Sequence, residues 1–251
     1  MTATASRPSF DLTGKVAIVT GGSRGLGRTI ALAFAGAGAD LVITSRKLDV
    51  CKAVCEEIEA LGRRALPYAC HVGHWDDLEG LVAAAYSQFG KVDVLVNNAG
   101  KSPLYPSLLD VTEKLWDSVF AVNLKGPFRL SVLVADRMRQ GAGGSIVNIS
   151  AYGALRPMPY IAPYAAAKLA LNNITVSLAR EFGPKVRVNA IMPGAFQTDA
   201  ARDWQPGEWE RMASLGRIGR PEELVGAALY FASDASSFTS GATLRVDGGI
   251  V

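Results

Sequence analysis

A glycine-rich turn near the amino terminus limits the folds available to this chain. Residues 20–27 read Thr-Gly-Gly-Ser-Arg-Gly-Leu-Gly, and they lie between an apolar run and a helical pattern. Because glycine has no Cβ, Gly21, Gly25 and Gly27 leave room for a pyrophosphate, and the helix that follows directs its free N–H groups towards the anion. Turns of this composition also join strands to helices for packing alone. Both interpretations, nucleotide binding and packing, are open at this point.

Apolar runs typical of strands alternate with amphipathic helical patterns over the rest of the chain. Predicted strands occupy residues 16–20, 41–45, 65–70, 92–97, 145–149, 186–191 and 242–247. Predicted helices occupy residues 26–37, 48–61, 76–89, 112–139, 163–182 and 221–233. This alternation predicts an α/β fold: a single-domain, Rossmann-type, doubly wound, seven-stranded parallel sheet with helices on both faces. We expect residues 1–11 to form a flexible N-terminal arm and residues 12–251 to form the domain.

The composition argues against several other classes of protein. With 49% apolar residues, 20% charged residues and a net charge of +3, the chain has the balance of a soluble globular protein and no basic block for nucleic acid. No apolar run approaches the roughly 20 residues of a membrane span, and the first residues lack the apolar stretch of a signal peptide. The three cysteines form no Cys-x-x-Cys motif, and only two histidines occur. We therefore expect reduced thiols, a cytoplasmic location and no metal site.

The end of the second predicted strand bears on which dinucleotide such a site would take. An NAD-selective site of this type places a carboxylate there, which binds the 2′-hydroxyl of the adenine ribose. Here the position is Ser45, with Arg46 beside it and Arg24 in the glycine-rich turn. Two guanidinium groups suit a 2′-phosphate, so NADP(H) is favoured over NAD(H). Two alternatives stay open: Arg46 is a solvated loop residue, or Asp49 reaches the hydroxyl from the next helix.

A tyrosine and a lysine four residues apart form a second candidate for chemistry. Tyr164 and Lys168, in Tyr-Ala-Ala-Ala-Lys, share one face of the predicted helix 163–182. A phenol with a reference pKa near ~10 transfers protons poorly at neutral pH, and a neighbouring ammonium lowers that pKa. The pair therefore fits proton transfer, although the same spacing also arises by chance.

The order and spacing of the motifs resemble the short-chain dehydrogenase/reductase family, including members similar to 3-oxoacyl-acyl-carrier-protein reductases. The resemblance covers essentially the whole chain. Its motifs are the turn 20–27, Asn97-Asn98-Ala99-Gly100, Asn123, Ser150, Tyr164-x-x-x-Lys168, Pro193-Gly194 with Thr198, and Asp247-Gly248-Gly249. Each motif is modest alone, but this order and spacing are specific.

The resemblance implies a role for each motif. Tyr164 would exchange a proton with the substrate oxygen, and Lys168 would bind the nicotinamide ribose and tune Tyr164. Asn123 would hold a water in the proton relay, and Ser150 would stabilise the substrate oxygen. The residues implied to bind the cofactor are Gly21, Ser23, Arg24, Gly25, Leu26, Gly27, Ser45, Arg46, His71, Val72, Asn98, Ala99, Gly100, Tyr164, Lys168, Pro193, Gly194 and Thr198.

The function that the resemblance implies is an NADP(H)-dependent oxidoreductase that reduces a carbonyl to an alcohol, or catalyses the reverse, by hydride transfer. The alternative within the family is an NAD-dependent dehydrogenase of a sugar, steroid or small alcohol. An alternative of another class is a cofactor-binding sensor or scaffold with weakened catalysis. The family also implies a homodimer or homotetramer that pairs helices 112–139 and 163–182, acts on a small molecule, and has no nucleic-acid or membrane partner.

Two residues depart from the family pattern. Family members usually carry an aspartate at the position of His71, where it accepts a hydrogen bond from the adenine amino group; a neutral histidine nitrogen would do likewise, or the bond is lost. The family serine commonly lies thirteen residues before the tyrosine, which is Ala151 here, and Ser150 is one residue further away. Either the strand end bulges and directs Ser150 into the site, which we expect, or that hydroxyl is absent. In the second case Tyr152 or the Ser150 backbone would replace it in part.

Residues 195–217 form the long irregular segment of the chain, and we expect a substrate lid there. Its large side chains, together with apolar residues of two other loops, would give a partly aromatic site wall: Phe196, Trp204, Trp209, Met212, Leu104, Tyr105, Met158 and Tyr160. The alternative is that the tryptophans only pin the loop to the body of the domain.

Overall fold

Seven strands form one parallel sheet in the part of the chain that the structure describes, residues 9–199 and 207–250 of a computed structural model. The strands are β1 (Val16–Thr20), β2 (Asp40–Ser45), β3 (Ala65–Ala69), β4 (Val94–Asn97), β5 (Gly144–Ile149), β6 (Val186–Pro193) and β7 (Thr243–Val246). Their order across the sheet is β3-β2-β1-β4-β5-β6-β7, so the direction of winding reverses between β1 and β4. Ligands of doubly wound sheets bind in the crevice outside the carboxyl ends of two such strands.

Helices connect the strands and cover both faces of the sheet. They are α1 (Gly25–Gly36), α2 (Leu48–Ala60), α3 (Asp77–Phe89), α4 (Glu113–Phe120), α5 (Gly126–Gln140), α6 (Ala162–Phe182), α7 (Glu208–Met212) and α8 (Val225–Ala232). The sequence predicts one helix over residues 112–139, whereas the structure has a π turn at Ala121–Lys125 between α4 and α5. Such turns are frequent at functional sites. The doubly wound fold predicted from the sequence is confirmed.

Alternate residues of each strand face opposite helical layers, which is why the strands are almost wholly apolar. In β1, Ala17 and Val19 pack in the core formed with α1, α2 and α8, whereas Ile18 packs in the core formed with α3, α5 and α6. Phe34 of α1 and Leu130 of α5 are fully buried on their respective sides. Each face therefore has its own core, and the strand ends that carry the site are held between the two.

A chain of buried amides fixes β4 and β5 against the helices behind them. The Asn97 amide nitrogen donates to the Ser131 hydroxyl in α5 and to the Asn148 carbonyl oxygen in β5, both at 2.9 Å. The Asn148 amide nitrogen in turn donates to the Thr175 hydroxyl in α6 at 2.9 Å. A buried polar network stabilises a fold only when its members are paired, as they are here. The network sets the position of α6 relative to the carboxyl ends of β4 and β5.

The predicted lid, residues 195–217, contains the short helix α7. Trp209 of this helix packs edge-on against the buried ring of Tyr152, with the ring centroids 6.3 Å apart. This contact supports the interpretation that Trp209 pins the segment to the domain. Trp204 and its neighbours lie outside the described residues, as do residues 1–8 of the predicted arm.

The stretch Glu113–Gln140 is long and apolar enough, by length and composition alone, to cross a membrane. The sequence contains no continuous apolar run there, and 50% of the most apolar window is buried inside the fold. A core helix of a globular protein passes the same test, so the stretch is weak evidence for a membrane span.

Candidate active site

The glycine-rich turn is fastened to the end of β4 by hydrogen bonds. The Thr20 hydroxyl accepts from the backbone N–H groups of Asn98 (3.0 Å) and Ala99 (3.1 Å). The Asn98 side-chain amide donates to the carbonyl oxygens of Thr20 (2.9 Å) and Gly21 (3.1 Å). A Cβ at Gly27 would lie 2.4 Å from both the Gly21 carbonyl oxygen and the Asn98 amide nitrogen. Packing therefore requires glycine at this position, and it holds the turn in a fixed shape.

The first turn of α1 opens onto a groove that suits phosphate groups. No side chain caps the helix, and no acidic residue lies in its first turn. A Cβ at Gly25 would come 3.6 Å from Thr198, so these two residues face each other across the groove. With Arg28, Thr29 and Asp199 among the other residues around them, they line an open cavity of about 550 Å³. Because uncapped N–H groups and the positive helix end attract anions, this arrangement fits the pyrophosphate of a dinucleotide.

No carboxylate ends β2. The last residue of the strand is Ser45, whose hydroxyl lies 3.1 Å from the Cys51 thiol and 3.3 Å from the Lys47 carbonyl oxygen. The next acidic residue along the chain is Asp49, in the first turn of α2. The strand end therefore presents a hydroxyl and basic residues, as the sequence indicates.

The two arginines of the predicted phosphate site have different surroundings. Arg46 is exposed and has no ion-pair partner among residues 9–199 and 207–250. Arg24 lies across the groove from Asp199, with a guanidinium nitrogen 3.7 Å from the carboxylate. Both side chains of this pair are well exposed, so their attraction is weak. Arg46 is the cation that a ligand reaches without displacing a carboxylate.

The ring of His71 is held by contacts to a second histidine and to its own loop. Its ring stacks on His74 with centroids 4.3 Å apart, and Nδ1 accepts from the Gly73 N–H at 3.2 Å. Burial lowers the pKa of His71, and the charges of His74, Arg46 and Lys101 lower it further. The lowered pKa leaves the ring neutral at pH 7, with one nitrogen that donates and one that accepts. Nδ1 is engaged by the Gly73 N–H, and acceptance from the adenine amino group by the other ring nitrogen stays a prediction.

Tyr164 and Lys168 lie one turn apart at the start of α6, as predicted. The Lys168 ammonium is buried, donates to the Ile149 carbonyl oxygen at 2.7 Å and lies 5.8 Å from the centre of the Tyr164 ring. Burial raises the pKa of Tyr164 to about 12 and lowers the pKa of Lys168 to about 7. Burial is the cause of the raised pKa of Tyr164, and a lowering of that pKa by Lys168 stays a prediction. No hydrogen bond from the described residues reaches the Tyr164 hydroxyl, which is protonated at neutral pH.

Asn123 lies in the π turn and anchors the loop that follows β4. Its amide nitrogen donates to the carbonyl oxygens of Lys101 (2.7 Å) and Val119 (2.9 Å), and its oxygen accepts from the Lys101 N–H (3.2 Å). A Cβ at Gly100 would lie 3.3 Å from the Asn123 oxygen and 4.0 Å from the Lys168 nitrogen. Three residues predicted for the site thus converge at the end of β4. That Asn123 also holds a water stays a prediction.

Ser150 follows β5 without the predicted bulge. The β5–β6 pairing keeps its register up to Ile149 and Ile191, and the Ser150 N–H continues it with a hydrogen bond to the Ile191 carbonyl oxygen at 2.8 Å. The Ser150 hydroxyl is 2% exposed and donates to the Lys168 carbonyl oxygen at 3.4 Å. The expected bulge is therefore absent, the hydroxyl supports α6, and Ala151 takes the next position along the chain.

Comparison with known proteins identifies the family to which the chain belongs. A family model described as enoyl-(acyl carrier protein) reductase matches residues 21–251. The human dehydrogenase/reductase SDR family member 4 is 36% identical over 244 residues, covering 95% of this chain and 88% of the relative. The chain belongs to the short-chain dehydrogenase/reductase family. It is therefore an oxidoreductase that acts with a nicotinamide cofactor on a small molecule.

Two solved structures of short-chain dehydrogenase/reductases superimpose closely on the chain. One is a 7α-hydroxysteroid dehydrogenase complexed with NADH and 7-oxoglycochenodeoxycholic acid, with a TM-score of 0.91 and 36% identity over 96% of each chain. The other is a blue fluorescent protein from a metagenomic library in complex with NADPH, with a TM-score of 0.90 and 35% identity, covering 95% of this chain and 98% of the other.

The other cofactor contacts expected of a short-chain dehydrogenase/reductase lie at the same edge of the sheet. Ser23 and Leu26 belong to the glycine-rich turn and the first turn of α1. Val72 is buried just beyond β3, and Pro193 ends β6 with Gly194 directly after it. All of them follow or end strands whose carboxyl ends form the crevice.

Sequence reasoning missed two side chains that shape this site. Thr20 lies in the glycine motif, yet only its hydrogen bonds to the end of β4 show that its hydroxyl joins the two loops. Tyr105 is predicted as a wall of the substrate site, whereas its hydroxyl is bonded to the segment that starts α6. The order of residues contains no signal for such a long-range contact.

Proposed function

We propose that this enzyme reduces a carbonyl to an alcohol, or catalyses the reverse, with NADP(H) as the preferred cofactor. The observation that carries the preference is the end of β2, where Ser45 replaces the carboxylate of an NAD-selective site and Arg46 has no described ion-pair partner. A guanidinium stabilises a 2′-phosphate that a carboxylate would repel. The two solved relatives contain NADH and NADPH respectively, so the preference rests on this chain's own residues.

Tyr164 is the proton donor in this proposal. The bound nicotinamide supplies or accepts the hydride. The phenol is protonated at neutral pH, as a proton donor must be, but the pKa raised by burial also makes it a weaker acid, so the role rests on its place beside Lys168 and not on its pKa. The free hydroxyl of Tyr164 favours the same role, because no described residue competes for its proton. Lys168 and Asn123 fix the surroundings through the Ile149 and Lys101 backbone.

The cofactor preference is tested by titrating the protein with NADPH and NADH and following intrinsic fluorescence. We expect NADPH to bind at least about tenfold tighter, and Arg46→Asp to reverse the order. Lys185→Asp is the matched control, since it makes the same change of charge at an exposed position before β6. Equal affinities of the unaltered protein for NADPH and NADH would refute the proposed preference for NADP(H) and favour the NAD-dependent alternative.

Turnover is tested separately with a panel of ketones, 3-oxo esters, steroids and sugars, by following the absorbance of NADPH. Oxidation of NADPH with at least one carbonyl is the expected result. Tight binding of NADPH without turnover of any carbonyl or alcohol would favour a sensor or scaffold.

We also propose that the enzyme forms a homodimer or homotetramer through α4, α5 and α6. Large apolar side chains on these helices are exposed in the single chain, among them Trp116, Phe128 and Leu169. Exposed apolar side chains on the helices that the family pairs are the surface that such an interface would bury. Light scattering after size exclusion would measure the mass, and a monomer at micromolar concentration would refute this part.

A further inference from the structure

Tyr105 joins the loop after β4 to the start of the helix that bears Tyr164. Its ring is 8% exposed. Its hydroxyl donates to the Pro159 carbonyl oxygen and accepts from the Ala162 N–H, both at 2.7 Å. Both of these bonds are short. One joins the loop of Tyr105 to the turn at Pro159, and the other joins it to the first residue of α6. The hydroxyl is therefore fully used inside the protein and is not offered to a substrate.

The first turn of α6 lacks the usual means of capping. The residue before the helix is Ile161, whose side chain has no acceptor, and Pro163 has no N–H. Ala162 is the first helical residue, directly after the 3-10 turn Pro159–Ile161, and its N–H donates to the Tyr105 hydroxyl at 2.7 Å. Unpaired amides at a helix start favour fraying, which is why side-chain acceptors stabilise helix N-termini. The Tyr105 hydroxyl accepts from the helix start as a capping side chain would, although it lies 57 residues earlier in the chain.

Tyr164 lies in the same first turn, two residues after Ala162. Movement of that turn would move the phenol with it. The other end of the Tyr105 loop is held at Lys101 by the Asn123 amide. The loop is thus tied at one end to the π turn and at the other to the helix that bears the proposed proton donor.

We propose that Tyr105 is a positioning residue: its hydroxyl fixes the first turn of α6 and thereby places the Tyr164 phenol against the substrate oxygen. The inference rests on the proposed role of Tyr164. A displacement of a reacting group by about 1 Å lowers turnover by up to about a hundredfold, whereas cofactor binding at the glycine-rich turn is unaffected by it. A deficit in turnover without a deficit in cofactor affinity is therefore the signature of this role.

The test is Tyr105→Phe, which removes the hydroxyl and keeps the ring. The matched control is Tyr230→Phe, because the Tyr230 hydroxyl is likewise hydrogen-bonded inside the protein, at 2.9 Å to the Thr239 hydroxyl, on the opposite face of the sheet. Hydrogen exchange of the peptide that starts α6 is measured by mass spectrometry in each protein. Turnover is measured with 2,3-butanedione and with the carbonyls of the panel, well below the melting temperature of each variant.

In Tyr105→Phe we expect exchange at Ala162 to accelerate at least about tenfold, kcat to fall about three- to tenfold, and the Kd of NADPH to stay within about twofold. The control should leave all three unchanged. Unchanged exchange, or unchanged kcat despite faster exchange, overturns the inference. If the unaltered protein binds no NADPH and reduces no carbonyl, the proposed function fails instead, and the exchange data still decide whether Tyr105 fixes the helix.

Discussion

The hydroxyl that stabilises the substrate oxygen is the part of the site where the structure reverses the sequence-based expectation. The perturbation is a pair of single variants, Ser150→Ala and Ala151→Ser. The Ser150 hydroxyl is buried and makes one long hydrogen bond, 3.4 Å, to the Lys168 carbonyl oxygen. Removing such a bond costs about 1 kcal/mol of unfolding free energy, or about 2–4 °C in Tm for a chain of this length.

Turnover separates this structural role from a catalytic one. A lost hydrogen bond to a developing oxyanion lowers kcat by about 10²–10³, so a catalytic Ser150 predicts a loss of that size in Ser150→Ala. The geometry predicts instead a kcat within about twofold of the unaltered enzyme, since a hydroxyl bonded to α6 gives no transition-state stabilisation to lose. In Ala151→Ser, at the family spacing from Tyr164, we expect kcat to rise at least about tenfold.

The assay is steady-state NADPH oxidation at saturating cofactor with the best carbonyl of the panel, alongside thermal melts of all three proteins. The melts show whether Ser150→Ala lost its internal hydrogen bond while remaining folded. A hundredfold fall of kcat in Ser150→Ala, with no gain in Ala151→Ser, would refute the reasoning. It would mean that the Ser150 hydroxyl turns from α6 to the substrate during turnover.

Two further predictions concern the groove and the buried lysine. Gly27→Ala should abolish measurable NADPH binding, because its Cβ would lie 2.4 Å from the Gly21 carbonyl oxygen. The control is Gly36→Ala in the same helix, whose Cβ would meet nothing within 4 Å and which should bind NADPH normally. Normal binding of NADPH by both variants would contradict this prediction. Lys168→Met should stabilise the cofactor-free fold more at pH 7 than at pH 10, by of order 3 kcal/mol in denaturant unfolding. Burial lowers the pKa of Lys168 to about 7 from the ordinary lysine value of 10.5. The free-energy cost of burying the ammonium is therefore largest below pH 7 and decreases as the pH rises towards 10.5. A difference in unfolding free energy between Lys168→Met and the unaltered protein that does not change with pH would show that the Lys168 ammonium is solvated.

The fold was accessible from the sequence because its signals are local. Apolar runs, helical periodicity and the glycine-rich turn each occupy a few consecutive residues, and parallel sheets with both faces covered follow from their alternation. The π turn at Ala121–Lys125 was not accessible, because the residues there continue an ordinary helical pattern. It is recognised only from the backbone of the folded chain, where it carries Asn123, whose amide donates to the Lys101 and Val119 carbonyl oxygens.

The structure brings together part of the site that the sequence predicts, and it adds details that the sequence does not contain. Gly100, Asn123 and Lys168 converge as the motifs indicate. The orientation of Ser150 depends on whether β5 keeps its register to its end. The offset of one residue between Ser150 and the position of the family serine does not show whether the strand bulges there. The pKa of Tyr164 is raised by burial, which is a property of the packed domain and has no local signal in the sequence. Features that arise from contacts between distant segments were therefore the ones that required the structure.

The central claim is that Tyr164 donates the proton to a carbonyl oxygen as NADPH is oxidised, and the kcat of Tyr164→Phe tests it most directly. The account predicts a fall in kcat of about 10²–10⁴ with the Kd of NADPH unchanged within about twofold, since the phenyl ring keeps the packing and loses only the acid. Turnover by Tyr164→Phe at a rate close to that of the unaltered enzyme would contradict the claim.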